Sequence, residues 1–297
     1  MSVLSDFTEA MAKYEQSKGV PAGYKIEGKE PYWNYMSNDA WIAMRNGMSE
    51  AVEAQYGAGS GGELEEDKER RTPPKMAAFH SSSRMIYLLS KDFEHFVFEK
   101  KLSTVVGGTS NMDGYFRDDN RTVYVEAKCR EIYGHPVPEK ISVKYIPVYT
   151  YLAEQMPSVF AFDANKHDER NQNVTFYSKG RKVTGFDVKQ MICHLLAVAA
   201  DQLQQKQPAC RTDFLYLIYD PTKLPLTPES KDEIMELYHR AVADAENLEI
   251  EVMFGHIVEY LSSLEKFKKK VMADKENVKK SFRFRICNQN TYPLNNV

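Results

Sequence analysis

Apolar positions recur along this chain with two different periods, and the change from one to the other marks its organisation. Over "SNDAWIAMRNGMSEAVEAQY", Trp41, Met44, Met48 and Val52 return at intervals of three and four, with Asn38 or Asp39 as a cap. This spacing predicts a helical segment through the N-terminal stretch. From His80 the texture changes. "HSSSRMIYLLSKD" predicts a short helix opened by serine caps, "HFVFEKKLST" alternates like a strand, and "MDGYF" and "TVYVEAK" supply two more strands. Further on, "GFDVKQMICHLLAVAADQLQQ" reads as a long buried helix, "FLYLIYD" as an apolar strand, "SKDEIMELYHRAVADAEN" as an amphipathic helix and "IEVMFGH" as another strand. A helix, three strands and then alternating helices and strands predict an α/β class, with a mixed sheet covered by helices.

Between the two textures lies "GAGSGGELEEDKERRTPPK", rich in glycine, charge and proline. The expected division is a helical extension over 1–56, a flexible loop or linker over 57–75 and one domain over 76–297. The acidic run from Glu63 to Glu69 is either a lid over a basic cleft or an idle linker. Gly57, Gly59 and Gly62 match GxGxxG, but no strand precedes them and an acidic run follows, so dinucleotide binding is not expected.

Composition narrows the class. The 297 residues are 42% hydrophobic and 27% charged, which suits a globular core, and the longest apolar run, "MICHLLAVAA", is too short to span a bilayer. The N-terminus lacks a basic start followed by an apolar run, so a cytoplasmic protein is expected. Cys129, Cys193, Cys210 and Cys287 are scattered and form no CxxC pair, which suggests reduced thiols. A net charge of −3 gives no whole-molecule attraction to nucleic acid, so local basic clusters would have to supply it.

The stretch "MDGYFRDDNRTVYVEAK" carries the candidate chemistry. With Asp119 and Asn120 as a two-residue turn, Val123 lies opposite Phe116, Val125 opposite Gly114 and Glu126 opposite Asp113. One face then collects Met112, Gly114, Phe116, Val123, Val125 and Ala127, an apolar set for the core. The other collects Asp113, Tyr115, Arg117, Thr122, Tyr124, Glu126 and Lys128. Two carboxylates side by side repel one another, which a divalent cation, a raised pKa on one acid or the ammonium of Lys128 would compensate; the compensation most consistent with the layout is Mg²⁺, held by Asp113, Glu126, the carbonyl of Ala127, water and a phosphate oxygen. Lys128 would orient an attacking water or stabilise developing negative charge. Acid, acid and amine on one face is the equipment of metal-dependent phosphodiester hydrolysis. The tripeptide alone carries little weight, since ExK or DxK also occurs at Glu27, Glu66, Glu99, Asp187 and Glu229. An apolar strand leading into Glu126 and an in-register Asp on the preceding strand single this copy out.

At these residues the sequence resembles the PD-(D/E)xK nuclease superfamily, also called restriction-endonuclease-like. "MDGYF" matches the strand with the first acid and "VYVEAK" the strand with (D/E)xK; Met112 stands where the motif has proline. The resemblance covers about residues 80–130. It implies a restriction-endonuclease-like mixed central sheet with an αβββ core flanked by helices. It also implies a Mg²⁺-dependent DNA endonuclease of restriction or defence type, with Mn²⁺ able to substitute. The alternatives are an inert DNA-binding module of the same fold, and an exonuclease or junction-resolving enzyme. Asp113, Glu126 and Lys128 take the catalytic roles; Glu99, or else Glu94, is the candidate third carboxylate, and Gln190 resembles a polar helix residue beside the site. That Gln is often followed four residues on by Tyr, where this chain has His194. DNA contacts are expected from Lys100, Lys101, Arg117, Arg130, Lys140 and Lys144, with the basic run "KFKKKVMADKENVKKSFRFR" as a further candidate. DNA is the expected partner, without a membrane, and cleavage of both strands suggests a homodimer.

Overall fold

The hairpin deduced from its turn forms with the deduced register: Gly114 pairs with Val125, Tyr115 with Tyr124, Phe116 with Val123 and Arg117 with Thr122. The Asp118 carboxylate closes the turn by accepting the backbone N–H groups of Asn120 and Arg121, each at 2.8 Å. The computed structural model describes residues 2–59, 62–134 and 137–293. Ser60 and Gly61 of the expected linker, with Met1, His135, Pro136 and 294–297, lie outside the described residues.

The N-terminal stretch contains more than helices. After α1 (Val3–Ser17) comes a two-stranded antiparallel ribbon, β1 (Ala22–Tyr24) and β2 (Tyr32–Met36), then α2 (Asn38–Asn46) and α3 (Glu50–Ala58). The hydroxyl of Ser37 caps α2, while Asn38 instead ties down the ribbon by accepting from Lys25 N and donating to Lys25 O. Ser49 opens α3 after a break at Gly47, so the predicted helix is two helices. Phe7, Met11, Trp41 and Tyr56 from this stretch belong to the same hydrophobic core as the rest of the chain. Beyond Gly61 the expected linker is anchored, with Glu63 and Leu64 buried and Met76 N donating to Glu63 O at 3.0 Å.

Next come α4 (Ser82–Ser90), opened by the Ser81 hydroxyl, and the three strands β3 (Val97–Ser103), β4 (Thr109–Arg117) and β5 (Arg121–Lys128). A second sheet then interrupts the core. Its strands β6 (Glu139–Ser142), β7 (Phe160–Lys166), β8 (Asn171–Ser178) and β9 (Arg181–Lys182) pair antiparallel, in the order β6-β8-β7 with β9 also on β8, and α5 (Ile146–Gln155) lies between β6 and β7. Tyr149 packs its ring against Phe162 and Phe176, giving this insertion its own aromatic centre.

The main fold resumes with α6 (Val188–Leu203), β10 (Arg211–Ile218), α7 (Pro228–Asn247), α8 (Ile250–Ser263), α9 (Glu265–Lys268), α10 (Lys275–Ser281) and β11 (Phe282–Cys287). Its five-stranded sheet has the order β11-β10-β5-β4-β3, with β10 parallel to both neighbours and the β5–β4 and β4–β3 pairs antiparallel. The α/β expectation therefore holds as a mixed sheet flanked by helices. The strand expected at "IEVMFGH" is corrected: it is the start of α8, where Ile250, Met253, Phe254, Ile257, Val258 and Leu261 are buried at helical spacing. Among the described residues, no helix is long and apolar enough to cross a membrane.

Gly114 shows how tightly the hairpin is packed. A Cβ there would stand 2.4 Å from Cζ of the buried Phe96 and 3.3 Å from Cβ of Val125. Gly114→Ala should therefore destabilise the protein by about 1–3 kcal/mol, seen as a lower denaturant midpoint with unchanged slope.

Candidate active site

The acids meet because three strands bring them to one level. Glu126 follows the last antiparallel pair of β4 and β5 and is 2% exposed. Asp113 turns its carboxylate across the opening ladder, and Oδ2 accepts Ala127 N at 2.7 Å. On the other side, Phe98 pairs with Gly114 and Lys100 with Met112, which sets Glu99 opposite Asp113. Glu99 itself has φ +53°, uncommon for a residue with a side chain, and its Oε2 lies where a Cβ on Gly59 would come within 2.9 Å. Here a glycine at the end of α3 leaves room for a carboxylate.

Helix α6 lies across the acid-bearing face. Tyr124 OH donates to Asp201 and accepts from Gln202 Nε2, so this face is buried rather than solvated. One turn at the start of α6 supplies the contacts that matter. Lys128 Nζ donates to Gln190 Oε1 at 2.5 Å and sits 2.6 Å from Glu126 Oε1. His194 Nε2 lies 2.9 Å from Glu126 Oε2, and neither atom has another hydrogen-bond partner. Ser110 Oγ hydrogen-bonds His194 Nδ1. With Ser110 donating, Nε2 carries the ring hydrogen and faces the carboxylate.

These placements divide the charges. Burial, then the charge of Glu126, pushes the Asp113 carboxyl well above the usual carboxylate range. Burial also opposes the charge on Glu126, but Lys128 and His194 outweigh it and bring its pKa down to about 2. Lys128 is likewise opposed by burial, yet Glu126, with Tyr216 and Asp113, holds it above the ordinary lysine range. It is thus a fixed cation, suited to orient water or bind negative charge and unsuited to take a proton.

Asp113, Glu126, Ala127, Lys128, Glu99 and Gln190 all line one cleft of about 480 Å³. Of the acidic run left open as lid or linker, Glu63 lines this cleft, beside Lys75 at 3.3 Å; sequence reasoning gave no role to His194 or Ser110. His194 could have been found from its spacing, because it stands one turn from Gln190 on the same helix face. The basic residues are more dispersed. Arg130 lines an adjoining pocket, whereas Lys100, Lys101, Arg117, Lys140 and Lys144 do not line the cleft. Arg117 sits at the closed end of the hairpin, bonded to Gln205 and the Gln207 carbonyl. Lys140 pairs with Asp168 at 3.5 Å, and the ammonium groups of Lys100 and Lys144 lie over the rings of Tyr115 and Tyr145. Lys101, which is exposed, pairs across the ladder with Asn111, a residue of the cleft wall. In the C-terminal basic run, Lys268, Lys275 and Lys279 are each engaged by nearby glutamates. Lys189, on α6, is a basic residue of the cleft that was not anticipated.

Among the described residues, no three His, Cys, Asp or Glu side chains are arranged to hold a metal ion. The donor chemistry of two of them nonetheless suits a hard cation: Asp113 and Glu126 lie close enough that the charge of Glu126 raises the pKa of Asp113, and Glu99 lines the same cleft. Compared with protein-family models, curated proteins and solved structures, the chain matches none.

Proposed function

We propose that this chain is a Mg²⁺-dependent deoxyribonuclease that hydrolyses phosphodiester bonds in the cleft between β3–β5 and α6. It would be an endonuclease of the restriction or defence type implied by the sequence resemblance. The observation that carries the reading is the convergence of Asp113, Glu126, Lys128 and Gln190, residues that span 77 positions from first to last, in one cleft, counted as 190 − 113. Mg²⁺, or Mn²⁺ in its place, would be held by Asp113, Glu126 and the Ala127 carbonyl, with Glu99 beside them, and would polarise the phosphate and acidify water. The chain's own residues do the rest. Gln190 and Glu126 fix the direction of Lys128, whose one remaining hydrogen orients the attacking water while its charge offsets that growing on the phosphate oxygens. His194 holds the Glu126 carboxylate in its orientation, and Ser110 holds His194.

One observation favours the second reading, an inert DNA-binding module: Glu126 already has Lys128 at one oxygen and His194 at the other. Cleavage of supercoiled, linear and single-stranded DNA in Mg²⁺ and in Mn²⁺, by the wild type and by Lys128→Ala, separates the two. Cutting by the wild type and not by the variant supports the enzyme, and DNA binding without cutting supports the module. Within the enzyme reading, His194→Leu should lower cleavage by about 10–100-fold, with His194→Gln retaining more activity because its amide can still donate to Glu126. Equal rates for the wild type and His194→Leu would remove His194 from the site.

A further inference from the structure

Beside the cleft lies a second depression of about 570 Å³ that shares Glu63, Ser82 and Ser83 with it, so a strand occupying one can reach the other. Its wall also carries Tyr35, His80, Arg130 and Glu131. The charged residues of the wall balance, Glu63 and Glu131 against Lys75 and Arg130, with Lys75 spent on Glu63 at 3.3 Å, so the pocket offers a phosphate no net positive charge. The start of α4 is also already served: Ser81 Oγ accepts Arg84 N, and Ser82 Oγ donates to Glu131 Oε1 at 3.3 Å. A flat neutral heterocycle with donors and acceptors along its edge fits better.

Tyr35 offers a half-buried ring, held edge-on to His80 with centroids 6.1 Å apart. Arg130 is exposed and has no ion pair among the described residues, which leaves its guanidinium plane open to stacking. His80, 9% exposed, accepts from Arg130 through Nε2 at 3.4 Å. Its ring hydrogen therefore sits on Nδ1, a buried donor with no partner in the protein. We propose that this pocket receives one unpaired nucleobase adjacent to the cleaved phosphodiester. Tyr35 and Arg130 contact its faces, and the Glu131 carboxylate meets its edge, while the buried Nδ1–H of His80 lies beneath the pocket and keeps Nε2 turned to Arg130.

This inference rests on the nuclease reading and narrows its substrate to strands with an unpaired base at the cut: single strands, flaps or frayed ends rather than continuous duplex. The test is fluorescence anisotropy with a labelled oligonucleotide, single-stranded or annealed as a blunt duplex, in Ca²⁺, using Glu126→Gln as the parent protein. The single strand should bind more tightly. Adding Arg130→Ala or Tyr35→Leu should weaken single-strand binding about tenfold and leave duplex binding unchanged. If Tyr35→Leu does not fold, Arg130→Ala, at an exposed position, carries the test alone. Folded variants that bind the single strand as tightly as their parent would overturn the pocket. The nuclease reading fails separately: a wild-type protein that cuts no DNA while both substitutions still weaken single-strand binding overturns catalysis and supports the pocket.

Discussion

Glu126→Gln is expected to reduce Mg²⁺-dependent cleavage by at least about a thousandfold while preserving DNA binding. The size of the effect follows from how much converges on this carboxylate. It is the acid kept ionised in the cleft, with a pKa brought down to about 2, while its neighbour Asp113 is pushed upwards. Removing its charge takes away the proposed cation ligand and the counter-ion of Lys128 in one step. The fold should survive because the amide can satisfy the same partners. Its oxygen can accept from Lys128, and its NH₂ can donate to Nε2 of His194 once Ser110 accepts from Nδ1–H instead. Circular dichroism and DNA-binding anisotropy would check the first part, and gel-based cleavage the second. Full cutting by this variant would remove the proposed site.

The second large effect is on stability. Glu15→Ala should cost about 3–5 kcal/mol, because Glu15 and Arg84 form a buried ion pair at 2.7 Å with each residue less than one-tenth exposed. The substitution strands the Arg84 guanidinium in the core, where its Nε already lacks a partner. The pair joins α1 to α4, the helix whose start forms part of the cleft wall, so the N-terminal stretch braces the site. Burial opposes the charge on Glu15, yet Arg84 and then Lys18 hold its pKa below the usual carboxylate value. The sign follows from linkage. A depressed folded-state pKa contributes stability above the unfolded carboxylate's pKa, and that stability is lost as pH falls through the folded value. The wild type should therefore lose part of its margin over Glu15→Ala on acidification below the ordinary glutamate range. Melting curves of the two proteins at neutral and acidic pH test this; a gap of constant size contradicts it.

What could be read in the sequence was what depends on local rules. The β4–β5 register followed from a turn at Asp119 and Asn120 and a period of two as far as its last pair, Gly114 with Val125; just beyond it the strands part, and Asp113 and Glu126 share one cleft without pairing in the ladder. Gln190 lay on a helix whose apolar length identified it. Whether the acidic run from Glu63 is lid or linker could not be decided from sequence, because the place of Glu63 beside the cleft is set by loop packing around Met76, not by any periodicity. Ser110 was hidden because its partner, His194, is 84 positions away in the chain. The second sheet gives a weak apolar signal, because β7 buries Phe160 alone and both residues of β9 are exposed. The seven residues that open α8 have an apolar content that suits a strand as well as a helix, and only the recurrence through Leu261 decides between them.

The central claim is that Asp113 and Glu126 form a cation site, and direct Mn²⁺ binding tests it without knowledge of the DNA substrate. Free Mn²⁺ would be followed by electron paramagnetic resonance as it is titrated into the wild-type protein and into Asp113→Asn. The prediction is saturable binding by the wild type that competes with Mg²⁺ and is lost in the variant. A folded wild-type protein that binds no Mn²⁺, or an Asp113→Asn variant that binds it equally well, would contradict it.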